Sequence, residues 1–270
     1  MIRAVRPLAG AVCMLLAAAC GVIPTAVPVR PPDRADEPGQ LLARLIAGET
    51  GLTTVRGLAT VLYSGPAGSG SVLQAIVVAP PDRARLETLS PVGTTAMVLT
   101  IRGDDLRVHS LLRQEYGEGR ATPETLARLT RVPLPPEPLL RLLAGLPPLP
   151  LHPGDPRVQV RADGEALRLD SVEGVFWQRL WTQPDHTSIH HGELGETAGP
   201  LLRFQFTDRQ VVNGTSFPFE IRLEATAGPS LIIRYQTLRI NQPVEADLFE
   251  LPRPTDRQTR ILDLGGSPLP

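Results

Sequence analysis

The side chains best placed for chemistry lie in Asp185-His186-Thr187-Ser188-Ile189-His190-His191-Gly192-Glu193, where three histidines meet two carboxylates. Imidazole nitrogens and carboxylates ligate zinc or move protons. His186 and His190 are four residues apart, the spacing of two metal ligands on one helical face. The stretch lacks the HExxH pattern, Gly192 and Ser188 argue against a helix, and no cysteine is near enough to complete a ligand set. The segment therefore reads as a solvated polar loop, with no metal centre. Asp104-Asp105 precedes a strand and reads as a turn. The chain has no GxSxG elbow, no phosphate-binding loop and no dinucleotide fingerprint. A non-enzyme without cofactor is expected.

The chain's two cysteines, Cys13 and Cys20, both fall near the start. They make no disulfide framework. Arg3 and Arg6 precede an apolar run from Leu8 to Ala19, too short to span a membrane as a mature helix. Ala17, Ala18 and Ala19 lead into Cys20, an ending that resembles a bacterial lipobox, with Ala17 in place of the usual leucine. The resemblance implies cleavage before Cys20 and acylation of that cysteine. Two or more acyl chains make an anchor stable, at about 0.8 kcal/mol per buried methylene. Residues 1–19 are thus a lipoprotein signal peptide. Residues 20–39, rich in proline and small side chains, form a semi-rigid tether.

The elements that must position any site follow. The chain has 270 residues, 42% hydrophobic and 20% charged, with a net charge of −1 and no lysine. Nothing in that balance favours nucleic acid. Leu41, Leu42, Leu45 and Ile46 share one face of a short helix over 40–50. β-prone stretches at 55–65, 71–80, 83–91, 94–103 and 105–112, split by turn residues, predict an antiparallel meander. Residues 121–130 carry helix signals, with Thr122 as N-cap and Pro123 at the first position. Pro138 opens a leucine-rich helix that Gly145 and Pro147 close. It carries Leu139, Leu140, Leu142, Leu143 and Leu146, more apolar surface than one stripe needs. Strands resume at 158–162, 166–172, 201–208, 219–225 and 231–240, with Asn213-Gly214 as a hairpin turn. Segment 175–183 is ambiguous between strand and helix. Residues 252–270 read as a loosely held tail, leaving 40–251 as the folded domain.

Two stretches, RGLATVLYSG…RARLETLSPVGTTAMVLTIRGDDLRVHS and PETLARLTRVPLPPEPLLRLLAGLP, resemble the LolB family, the outer-membrane lipoprotein receptors of the Lol sorting pathway. The family shows an arginine-glycine pair, an Asn-Pro-Leu-Gly turn, a Leu-Thr-Gly-Met-Pro-Ile-Pro segment and a helix ending Gly-Leu-Pro. Here their counterparts are Arg56-Gly57, Ser90-Pro91-Val92-Gly93, residues 129–135 and Gly145-Leu146-Pro147. The likeness covers roughly residues 40–150. Further on, only strands in sequence fit, and NQPVEADLFELPRP resembles C-terminal ends in the wider LolA/LolB-like carrier superfamily.

The resemblance implies an α+β fold, an open antiparallel half-barrel sheet whose concave face is plugged by helices, with an apolar cavity for acyl chains between them. It implies a receptor that takes acylated lipoproteins from a periplasmic LolA-like carrier and inserts them into outer-membrane lipid. Cys20 would hold it in the outer membrane facing the periplasm, and Gly21 is permissive for that address. The family's protruding leucine falls on Val92, in the turn Pro91-Val92-Gly93. Pro91 fixes φ and Gly93 can take positive φ, so the pair can push Val92 outward. Cavity candidates are Leu139, Leu142, Leu143 and Leu146 on the helix and Met97, Leu99 and Ile101 on the fourth strand. On the first strand Leu58 and Leu62 are candidates, in competition with the alternate set Ala59, Val61 and Tyr63. The alternative is an envelope scaffold, or a carrier of another hydrophobic ligand, built on the same fold. Segment 173–200, with Phe176, Trp177 and Trp181, exceeds what the receptor family needs and would form a lid or a partner surface.

Overall fold

Alternating apolar and polar residues build one continuous sheet in the computed structural model, which describes residues 38–66, 68–152, 155, 157–226 and 228–265. The signal peptide, Cys20 and all but the last two residues of the expected tether lie outside the described residues. A helix α1 (Pro38–Thr50) leads into strands β1 (Val55–Gly65), β2 (Gly68–Ala79), β3 (Arg83–Leu89), β4 (Thr95–Arg102), β5 (Asp105–Ser110) and β6 (Glu115–Arg120). Helices α2 (Pro123–Thr130) and α3 (Pro136–Leu143) interrupt the strand series. It continues with β7 (Gln159–Asp163), β8 (Ala166–Glu173), β9 (Phe176–Thr182), β10 (Ile189–Glu196), β11 (Gly199–Val212), β12 (Thr215–Ala225) and β13 (Ser230–Ile240). A 3₁₀ turn (Ala246–Phe249) and β14 (Arg260–Asp263) complete it.

The strand order is β14-β6-β5-β4-β3-β2-β1-β13-β12-β11-β10-β9-β8-β7. Every neighbouring pair is antiparallel except β14 on β6, which is parallel. The result is the expected α+β fold, an open half-barrel sheet with helices on its inner face. Because nearly all connections are hairpins, their turns fall on two rims. The hairpins β1–β2, β3–β4, β5–β6, β8–β9, β10–β11 and β12–β13 turn at one, hereafter the first rim. The hairpins β2–β3, β4–β5, β7–β8, β9–β10 and β11–β12 turn at the second.

Val55, Ala59 and Val61 of β1, Ile76 and Val78 of β2, and Leu99 and Ile101 of β4 face inward and are buried. Helix α1 lays Leu42, Leu45 and Ile46 on this core, the face its spacing predicts. The outer face is also partly covered. Phe249 packs on Val77 and Ala79, and Leu251 packs on Val98 and Tyr116. Backbone carbonyls there are taken up by side chains: Arg85 donates to Leu248 at 3.1 Å and Tyr116 to Leu251 at 3.2 Å. Strands β2 and β4 are therefore apolar on both faces, which hides their inward register from sequence.

Four sequence expectations change. Strand β6 was not foreseen, because its Gly117 and Gly119 break the apolar alternation. A Cβ at Gly117 would lie 2.7 Å from Leu264, so these glycines make room for the C-terminal segment. That segment is no loose tail, since β14 pairs with β6 and Leu264 is buried. Residues 175–183 resolve as strand β9. The histidine segment is only partly a loop: residues 183–188 turn, but His190, His191 and Glu193 sit on β10. Segment 173–200 thus widens the sheet.

Candidate ligand-binding site

Helix α2 starts as its sequence dictates. The backbone N–H of Thr125 donates to the Thr122 hydroxyl at 3.3 Å, and Pro123 fills the first turn, where no N–H is needed. It runs from the second rim back to the first. There Arg131 ends it in the left-handed region (φ 66°), and its N–H donates to the Ala127 carbonyl at 2.9 Å. The Arg131 guanidinium lies 4.7 Å from the ring centre of Tyr63, two residues before the end of β1. Residues 131–135 then cross to α3, which returns toward the second rim.

From Pro138 to Leu143 every residue of helix α3 is buried, which accounts for its excess of leucine. It ends in a Schellman motif: Gly145 N–H donates to Leu142 and Leu146 N–H to Arg141, each at 2.9 Å. Gly145 adopts φ +71°, and a Cβ there would meet Pro218 at 2.8 Å. The Tyr235 hydroxyl donates to the Leu143 carbonyl at 2.8 Å, and burial pushes its pKa up. Arg141, the one buried charge within this greasy helix, pairs with Glu49 of α1 at 2.7 Å and donates to the Pro147 carbonyl at 2.8 Å. Burial raises the Glu49 carboxyl above its usual range, against the opposing pull of Arg141. Beyond α3 the backbone of Leu149 is clasped by Gln178 of β9, through two hydrogen bonds of 3.0 Å.

Between α2, α3 and the inner sheet face remains a hollow of about 60 Å³. Of the expected lining, it brings together Met97, Leu99, Leu139 and Leu143. Val61, Leu129, Val132 and Leu231 join them, and Gln74 and Thr130 supply the polar edge. Its walls come mainly from strand residues near the first rim, beneath the 129–135 link. Leu58 and Leu62 are a correction: they point to the outer face, and the competing set Ala59, Val61 and Tyr63 points inward. Leu142 and Ile101 are fully buried in the core, away from the hollow, and Leu146 lies on its far side, toward α1. Leu129 and Val132 were missed as lining residues, although they fall inside the quoted 129–135 motif.

The turn at Val92 is built by its neighbours. Gly93 N–H donates to the Ser90 carbonyl and Ser90 N–H to the Thr94 carbonyl, both at 2.8 Å. Gly93 takes φ +84°, and Val92 stands 84% exposed at the tip.

The histidines do not converge. His186 pairs with the Thr182 hydroxyl at 3.2 Å, and His190 sits between the amides of Gln183 and Gln205, each 3.3 Å away. His191 stacks on Trp181, centroids 4.9 Å apart and planes 5° from parallel. Burial, and then the neighbouring His190, hold its pKa below the ordinary value. Among the described residues no three His, Cys, Asp or Glu side chains form a metal-binding group. His190, His191 and Glu193 instead line a groove of about 530 Å³ on the outer face, together with Trp181, Gln205 and Arg222.

No protein-family model matches the chain, and no curated protein matches it significantly in sequence. Solved structures do match in shape. A DUF1329 family protein from Desulfovibrio piger aligns with a TM-score of 0.57 at 13% identity, over 78% of this chain and 95% of that one. A putative outer membrane lipoprotein-sorting protein domain from Vibrio parahaemolyticus gives 0.53 at 12%, with coverage of 78% and 95%. A LolA superfamily protein from Nitrosomonas europaea gives 0.51 at 11%, with 78% and 96%. The chain thus has a LolA-like open half-barrel fold.

Proposed function

We propose that this chain is an outer-membrane lipoprotein, anchored through Cys20, that binds acyl chains of other lipoproteins and passes them to the bilayer. The observation that carries this reading is the aliphatic hollow beneath the 129–135 link, near the rim where Val92 protrudes. No catalytic step is needed. Chains move from carrier to receptor to membrane down a gradient of affinity. The role in sorting named for the Vibrio domain supports the direction of the proposal.

A hollow of about 60 Å³ holds roughly the volume of two waters, far below the about 300 Å³ at which ligand pockets begin. Binding therefore requires α2 and the link to lift. Lifting them exposes Leu126, Val132 and Leu134, all buried. At roughly 1.5–3 kcal/mol each, that opening costs about 5–9 kcal/mol. Relative to water, a chain of about fifteen methylenes held in the opened site is worth roughly 12 kcal/mol, and the carrier must hold it less tightly than the opened site net of the opening cost. One acyl chain offsets the opening, and release into a bilayer lets the site close again.

The close packing of the remaining core favours a second reading, an envelope scaffold of the same fold that carries no lipid. Two measurements separate them. Solvent extraction of the purified full chain, followed by mass spectrometry, yields stoichiometric acyl chains on the transfer reading and none on the scaffold reading. Val92→Glu abolishes delivery of a lipoprotein to liposomes while leaving uptake intact; delivery at the wild-type rate sinks the transfer role.

A further inference from the structure

The exposed large aliphatic side chains are not scattered. Val92 (84% exposed) sits in the β3–β4 turn, Leu111 (46%) and Leu112 (77%) in the β5–β6 turn, and Val175 (65%) in the β8–β9 turn. All three turns lie on the first rim. Val172 (48%), at the end of β8, stands beside them, whereas Val211 (75%) is near the second rim. The turns themselves differ in charge, although the strand ends beside them do not: Glu115, Glu173 and Glu196 flank the first rim, and Arg83, Arg102 and Arg120 the second. The described residues joining strands at the first rim are 66, 90–94, 111–114, 174–175, 197–198, 226 and 228–229, and among them the only charged side chain is Arg113. The joining residues of the second rim, 80–82, 103–104, 164–165, 183–188 and 213–214, contain Asp82, Asp104, Glu165 and Asp185, with no lysine or arginine.

We propose that the whole first rim, and not the Val92 turn alone, is the edge this molecule lays on a lipid bilayer, with Leu111, Leu112 and Val175 entering the interface beside Val92. This deepens the reading above and rests on it for the role of Val92. The occupant follows from the shape. Single aliphatic residues at separate turn tips, spread along a curved rim, offer no continuous groove for a folded partner. A fluid interface accommodates each tip independently. The turns of this rim add no carboxylate of their own, but Glu173 and Glu196 close the strands beside them, so the aliphatic tips and not net charge carry the contact. The same orientation sets the 129–135 link, and the hollow beneath it, close to the membrane.

The test uses the full chain with Cys13 and Cys20 replaced by serine, so that neither an acyl anchor nor a native thiol intervenes. Single cysteines at 92, 112 and 175, and at 104 and 165 on the second rim, carry an environment-sensitive fluorophore. Vesicles of phosphatidylethanolamine and phosphatidylglycerol are then added. The expected result is a blue shift at 92, 112 and 175, none at 104 or 165, and several-fold weaker vesicle binding for Leu112→Asp with Val175→Asp. A shift at 92 with 112 and 175 remaining aqueous overturns the rim and spares the Val92 turn. Equal shifts on both rims, or none on either, overturn any oriented contact. Loss of acyl-chain binding with the rim pattern intact would instead count against the proposed function.

Discussion

Gly145 does two things that no other residue can do together. It takes the left-handed conformation that ends α3, and its missing side chain lets Pro218 approach. An alanine there costs about 1–2 kcal/mol in backbone strain before the clash is counted. Gly145→Ala should lower the urea midpoint with an unchanged slope; a midpoint equal to wild type would show that neither constraint is real. His191 gives a pH signature. Its folded pKa lies below 6.5, so in that window the unfolded chain binds a proton that the folded chain does not. The stability owed to the neutral ring on Trp181 is complete above pH 6.5 and is lost as pH falls through the lower folded value. His191→Phe keeps the stacking and removes the titration. Its melting temperature should fall less than that of wild type between roughly pH 7 and pH 5; matching profiles would refute the assignment. At this scale the sequence was eloquent about Val92, where proline and glycine set the turn chemistry. It was half right about the histidines: the segment reads as a polar loop, yet His190, His191 and Glu193 lie on β10, because glycine and serine there signal a turn more strongly than the short apolar alternation signals a strand.

The link between α2 and α3 is the element on which the proposed opening depends. Arg131 occupies a left-handed position where the resembled motif has glycine. The strain, about 1–2 kcal/mol, is opposed by the guanidinium on Tyr63, worth about 0.5–1 kcal/mol at a half-exposed site. Arg131→Gly relieves one and loses the other. Stability should therefore change by no more than about 1.5 kcal/mol, while amide exchange across 129–135 accelerates several-fold and acyl-chain uptake with it. Unchanged exchange would show that the Arg131–Tyr63 contact does not hold the link down. The helices and most strands were legible from capping residues, prolines and period. What could not be read was the inward face of β1. Leu58 and Leu62 look like core by residue type, yet they lie on the outer side of the sheet. The smaller Ala59 and Val61 face inward, where helices press close. Type alone does not choose between faces when both are shielded.

At the scale of the molecule, the resemblance to the half-barrel proved readable because hairpin turns punctuate the strands so regularly. The extent of the sheet did not. Strands β9 and β10, in the segment 173–200, extend it beyond what the resembled family needs, and β14 returns from a stretch whose polar composition resembles a tail. Nor could any local pattern disclose that turns far apart in sequence share a rim, since that follows only from register. An open sheet, unlike a closed barrel, also stops somewhere. At β7 it ends in a ribbon whose outer amides and carbonyls have no neighbouring strand among the described residues. Such a margin is a template on which another chain can crystallise into fibre. Here Gln159, Arg161 and Asp163 are exposed along it, and Trp181 donates to the Asp163 carboxylate at 2.7 Å. Solubility is therefore written into a few hydrophilic groups at one margin. Replacing Gln159 and Arg161 with valine should leave the fold intact by circular dichroism and yet produce concentration-dependent aggregates in light scattering, the hazard that a wider sheet brings with it.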